Sequence, residues 1–130
     1  MFIKKMLLTS SILISTALPL SANAELTIIN NTNFDSTSIV NNGICSNAMG
    51  EAGITRAHSS NILSHLILMI ACGMNTADCK ADVYMSDDCS GPLVGTVILD
   101  INSGIKNVSE NGDFTFTTAN PFQIQIDPKS

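Results

Sequence analysis

Phe114-Thr115-Phe116-Thr117 and Phe122-Gln123-Ile124-Gln125-Ile126 are the stretches that decide the fold class. In each, apolar and polar residues alternate, and Asn120-Pro121 separates the two. A strand points successive side chains to opposite faces, so period-two alternation marks strands with one face in a core and one in water. The pattern continues backward along the chain. In residues 80–85, Ala81, Val83 and Met85 share one face while Asp82 and Tyr84 share the other. In residues 93–101, Leu93, Val97, Leu99 and Ile101 share a face that Gly95 thins. Residues 105–108 form a short strand, and turn residues crowd 86–92, 102–104 and 110–113. Nearer the N-terminus, strands over 26–29 and 36–40 stop at Asn30-Asn31 and Asn41-Asn42-Gly43.

Two segments read less simply. Residues 44–57 are rich in small residues, and only a short strand near Ile54 is expected there. In residues 59–72, Ser60 is a candidate helix cap, and Ile62, Leu63, Leu66, Ile67 and Ile70 fit a helical stripe. Yet Leu66-Ile67-Leu68-Met69-Ile70 is apolar on both sides, as a doubly covered strand would be, and the β-rich surroundings favour strand. The expectation is a β-sandwich of about seven to nine short antiparallel strands, with a small β-barrel as the alternative.

The first 24 residues have a different logic. Lys4 and Lys5 precede an apolar run of about fifteen residues, Pro19 interrupts it, and Ala22-Asn23-Ala24 offers a small-x-small cleavage site. The run is short for a span of ~20 residues, so it reads as a signal peptide cleaved after Ala24 rather than a transmembrane anchor. Residues 25–130 then form a single domain, secreted or periplasmic. The mean hydropathy of +0.28 owes much to the leader. Lys4 and Lys5 leave with it and all eleven acidic residues stay, so the net charge moves from −5 to −7.

Cys45, Cys72, Cys79 and Cys89 all lie in the exported part, where an even count reads as two disulfides. Their intervals of 27, 7 and 10 residues do not match the paired short spacings of a zinc site. A strand over 80–85 holds Cys79 and Cys89 toward opposite ends of about 20 Å of chain, while bridged Cα atoms lie within about 7 Å. Cys72 and Cys79 instead flank a six-residue loop fit to close a hairpin. The expected pairs are Cys72–Cys79 and Cys45–Cys89.

With only Arg56, Lys80, Lys106 and Lys129 left as scattered cations, the domain lacks the basic cluster that nucleic acid requires. Arg56-Ala57-His58-Ser59-Ser60 contains a Ser and a His, but neighbours in an extended chain face apart, and no G-x-S-x-G elbow is present. His58, His65 and the Met residues show no tight copper-type spacing. Asp87, Asp88, Asp100 and Asn102 are the candidate oxygen ligands for calcium. Asp100-x-Asn102-x-Gly104 fails the full EF-hand pattern, which needs Gly where Ile105 stands and Glu where Asn111 stands, and turn chemistry accounts for all these residues. No cofactor is expected. Tyr84 beside Asp82 is the surface-binding candidate, because an outward aromatic with a carboxylate suits a sugar or protein partner.

The leader, the segment Glu25-Leu26-Thr27-Ile28-Ile29-Asn30-Asn31-Thr32, and Cys79-Lys80-Ala81-Asp82-Val83-Tyr84-Met85 with Cys89-Ser90-Gly91-Pro92 give the chain a resemblance. It resembles the small disulfide-containing β-domain proteins that Gram-negative bacteria export, some by type II secretion. The resemblance implies a folded β-sandwich acting at the cell surface or on a host, and it brings no catalytic residues. The leading expectation is a non-enzymatic binding module that recognises a protein, glycan or lipid surface through loops at one end of the sandwich. A structural or assembly role in the envelope or matrix comes second, and a small secreted hydrolase third.

Overall fold

The computed structural model describes residues 24–130, so the expected leader lies outside the described residues apart from Ala24. The strands are β1 (Leu26–Asn30), β2 (Thr37–Val40), β3 (Ser59–Leu63), β4 (Cys79–Tyr84), β5 (Leu93–Asp100), β6 (Gly104–Glu110), β7 (Phe114–Thr117) and β8 (Gln123–Pro128). A 3₁₀ segment (Ser46–Gly53) precedes β3, and one α-helix, α1 (His65–Cys72), follows it. The strands form two open sheets ordered β3-β1-β8-β7 and β2-β4-β5-β6, not a closed barrel. The core lies between them, with Leu26 of the first sheet packed against Leu99 and Cys79 of the second.

The period-two segments behave as their pattern dictates. Phe116, Ile124 and Ile126 are buried, and Thr117 opposes Gln125 across the β7–β8 pair. The sheets are not wholly antiparallel, however. β1 runs parallel to β8, from Thr27 opposite Gln123 to Asn30 opposite Ile126. Parallel neighbours need a crossover, and here the intervening domain supplies it.

In β5, Val94 rather than Leu93 is buried beside Val97, Leu99 and Ile101. The register slips there: Val83 pairs with Gly95, yet Tyr84 pairs with Leu93, which leaves Val94 as an extra residue turned inward. A bulge of this kind breaks simple alternation and sharpens the local twist. Gly95 next to it is required by packing, because a Cβ there would lie 2.7 Å from Phe116 Cζ and 2.9 Å from Ser109 O.

Residues 59–72 divide in a way that alternation did not anticipate. β3 ends at Leu63, and residues 65–72 are helix rather than strand. The cap is Ser64, whose side chain accepts from Ile67 N at 3.2 Å, not Ser60. Cys72 therefore ends a helix, and residues 73–78 join that helix to β4 instead of closing a hairpin. Near Ile54, Thr55 makes an isolated antiparallel bridge to Ser36.

Two disulfides join Cys45 to Cys89 and Cys72 to Cys79, with Cα separations of 5.9 and 5.5 Å. The first clips the start of the 3₁₀ segment to the β4–β5 loop, and the second clips the end of α1 to the start of β4. The turn after β1 rests on buried polar groups. Asn30 is fully buried, donates to Phe34 O at 2.7 Å and Thr55 O at 3.2 Å, and accepts from Thr32 N and Oγ1. Both ends of that amide are satisfied, as burial of a polar group demands.

Candidate functional site

α1 is the least ordinary element of the chain. Leu68 and Cys72 point into the core, and Ile67 and Ala71 line the space between the sheets. The opposite stripe is apolar too. Leu66 and Ile70, one turn apart, are 64% and 66% exposed, and Met69 beside them is 48% exposed. Ile62 on β3 and Met74 just past the helix are also exposed. A surface helix ordinarily turns a polar face to water, and this one does not. The apolar run from Leu66 to Ile70 carried the signal: two adjoining helical stripes are both apolar, one used in the core and the other left outside.

Behind α1 lies a cavity of about 100 Å³. Its walls are almost wholly apolar, with Leu26, Ile28, Val40 and Leu63 among them. Buried residues fall into one cluster around Leu68, Cys79 and Leu99 and another around Val83, Phe116 and Ile126. Members of both line the cavity. At about 24 cal/mol per Å³, an empty space of this size costs on the order of 2 kcal/mol of stability. Met49 of the 3₁₀ segment belongs to the lining and is 38% exposed, and Ile67 and Ala71 are half-buried, so the mouth lies between that segment and α1.

The residues singled out in the sequence lie elsewhere. Asp82 and Tyr84 sit on the outward face of β4, where Asp82 accepts from Thr96 Oγ1 at 2.9 Å and meets Lys80 Nζ at 3.7 Å. Tyr84 is half-buried opposite Thr37. Asp87 and Asp88 are in the loop before β5, whereas Asp100 ends that strand and Asn102 follows it, so the length of the strand separates the two sets. Asp88 accepts from Ser90 Oγ and N, and the hydroxyl bond leads in holding its carboxyl below the usual range. Asp100 accepts from the Asn102 and Ser103 N–H groups, the first of which does most to lower its pKa. Among the described residues, no three His, Cys, Asp or Glu side chains gather as a metal-holding group.

His58 and His65 lie beyond opposite ends of β3. His58 Nε2 meets Asn33 Oδ1 at 2.6 Å, and Ser59 Oγ donates to the Arg56 and Ala57 carbonyls, so these two residues form no Ser–His pair. Arg56 instead bridges Asp35 at 2.9 Å and Glu51 of the 3₁₀ segment. The Ala57 N–H, then Arg56, hold the Asp35 carboxyl below its ordinary range. Arg56 does the same for Glu51, and its own pKa is raised in return. This exposed network pins the 3₁₀ segment to the turn preceding β2.

Two open four-stranded sheets with two disulfides and an apolar crossover helix define a small, oxidised β-sandwich. A family model described as the type II secretion system substrate NttC matches residues 1–129, and the chain belongs to that family. It is therefore an exported protein, carried across the envelope as a type II secretion substrate. The crystal structure of the Legionella pneumophila type II secretion system substrate NttC shares the fold, with a TM-score of 0.66 and 22% identity, covering 82% of this chain and 98% of that one. No curated protein matches the chain. No helix among the described residues is long and apolar enough to cross a membrane.

Proposed function

We propose that this secreted protein is a non-enzymatic binding module whose docking face is the outer stripe of α1 and whose partner is a lipid surface. The observation that carries this is the exposure of Leu66, Met69 and Ile70 on a helix that Ser64 caps and Cys72–Cys79 anchors. The chemistry of the stripe supports lipid over the other partners. It is aliphatic and thioether, with no Trp, Tyr or Arg of the kind that dominates protein hot spots. It also lacks the aromatic platform and directional polar groups that a glycan needs. Non-directional apolar side chains suit a partner that is itself an apolar phase, and docking strength scales with the apolar area buried.

Charge refines the partner. Lys80 and Lys106 are paired with Asp82 and Asp78, and Arg56 is paired twice. Residues 25–130 carry −7, and with three of their four cations so engaged the domain gains little from anionic headgroups. Phosphatidylcholine vesicles are the appropriate probe. Wild-type protein is expected to co-sediment with them, and Leu66→Gln/Ile70→Gln to stay in the supernatant. Equal sedimentation of both proteins, or none of the wild type, overturns the reading.

A further inference from the structure

We propose that the cavity between the sheets takes the end of an unbranched aliphatic chain, entering between the 3₁₀ segment and α1. This deepens, and rests on, the reading of α1 as a lipid-docking face. Four features of the site converge on that ligand. The size is right: an apolar cavity of about 150 Å³ admits benzene or xenon, so about 100 Å³ suits a few methylenes and excludes a fused ring system. The wall offers a ligand little polar chemistry. Ser46 Oγ is bonded to Gly53 O, Thr37 Oγ1 to Ser86 O, and the Asn61 amide to Ala52 O.

The mouth also leads somewhere. Ala71 and Ile67 at the rim are on the same helix as Leu66 and Ile70, so a chain leaving the cavity passes directly onto the exposed apolar stripe. Met49 on the facing rim is an unbranched, flexible side chain able to yield to an entering chain. Finally, an apolar space of this size excludes water for want of polar partners, so an aliphatic end enters without displacing bound solvent.

Methyl NMR of the exported protein tests this with two probes, xenon under pressure and decanoate below its micelle concentration, with butanoate as the short control. Both xenon and decanoate are expected to move the Ile28, Leu63, Leu68 and Ile124 methyl resonances saturably. Butanoate, whose chain is too short to fill the cavity while its carboxylate stays in water, should bind at least tenfold more weakly. Ala71→Leu, which places a branched side chain at the rim, should abolish both shifts, and Ala81→Leu repeats the test from the facing sheet should the first variant not fold. Xenon shifts without decanoate shifts would mark the cavity as a packing void and overturn the proposal. So would decanoate shifts confined to Leu66, Met69 and Ile70. Vesicle sedimentation separates the two readings: decanoate uptake without vesicle binding overturns the docking face alone, and vesicle binding without decanoate uptake overturns the cavity ligand alone.

Discussion

The two halves of the sandwich interior are built to different standards. Around Phe116, the ring packs over a glycine that has no room for a methyl, and Val94 is turned inward by a bulge to join it. Toward α1, the same two sheets leave about 100 Å³ empty, with Phe116 and Ile126 on the far wall, and the helix covering it leaves Leu66, Met69 and Ile70 exposed. Close packing is the ordinary condition of a protein interior. The first half therefore needs no explanation beyond folding. The second departs from it both inside and outside one helix, which is why the docking face and the chain-binding cavity are assigned there.

The disulfides give the largest test of this contrast. Cys45–Cys89 closes 44 residues and Cys72–Cys79 only 7. In the chain-entropy model, these restrict the unfolded state by about 4 and about 2 kcal/mol respectively. Replacing each pair by Ala and reading the urea midpoint should rank them in that order. A larger loss at Cys72–Cys79 would mean that α1 is integral to the folding core, and the contrast between the halves would collapse.

Adding atoms at each end comes next. Gly95→Ala forces a methyl against Phe116 and Ser109 and should destabilise by about 1–3 kcal/mol, as overpacking does. Ala71→Leu adds a larger group toward the cavity and should be neutral or stabilising by up to about 2 kcal/mol, as cavity filling is. Opposite signs in denaturant titrations sharpen the comparison, and equal losses break it.

The same division governs how much of the molecule the sequence discloses. Phe114-Thr115-Phe116-Thr117 and Gln123-Ile124-Gln125-Ile126 are legible because a half-buried strand has one residue of each kind per repeat. The pairing of the cysteines is legible because strand length and loop length limit which thiols meet. Val94 is hidden by a one-residue bulge, since alternation cannot show an insertion. The parallel partnership of β1 and β8 is hidden because nothing local encodes which distant strand becomes a neighbour. α1 reads as strand for a physical reason that is also its functional mark: side chains apolar on every side look buried on every side, whereas here one stripe is left in water. The outward pair Asp82 and Tyr84 is visible from alternation alone, but the apolar face needs the three-dimensional fold to show that nothing among the described residues covers it.

Acid should weaken the polar clips outside both interiors more gently than either packing change. The pKa values of Asp35, Glu51, Asp88 and Asp100 are all lowered from ordinary values of 3.8 for Asp and 4.5 for Glu. A lowered folded-state value means that the ionised carboxylate favours the native form. That contribution is complete above the ordinary values and fades as pH falls through them toward the folded-state values. Urea midpoints should therefore hold level from pH 7 to about 5 and decline below about 4, given ordinary carboxyl values near 4. Asp35→Asn should flatten that decline, and a steep loss between pH 7 and 5 would point to groups other than these carboxylates.

The smallest expected effect is the most telling. Leu66→Gln/Ile70→Gln removes two large apolar side chains, a change that in a core costs several kcal/mol per site. Both residues are about two-thirds exposed, and glutamine matches leucine and exceeds isoleucine in helix propensity. The urea midpoint should thus shift by no more than about 0.5 kcal/mol equivalent, the usual range for surface positions. A protein that loses vesicle binding while keeping its stability shows that the outer stripe contributes to docking and not to folding. A large loss of stability would instead mean that the stripe packs against something in the free protein. The exposed half of α1 would then belong with the Phe116 interior, as core rather than interface.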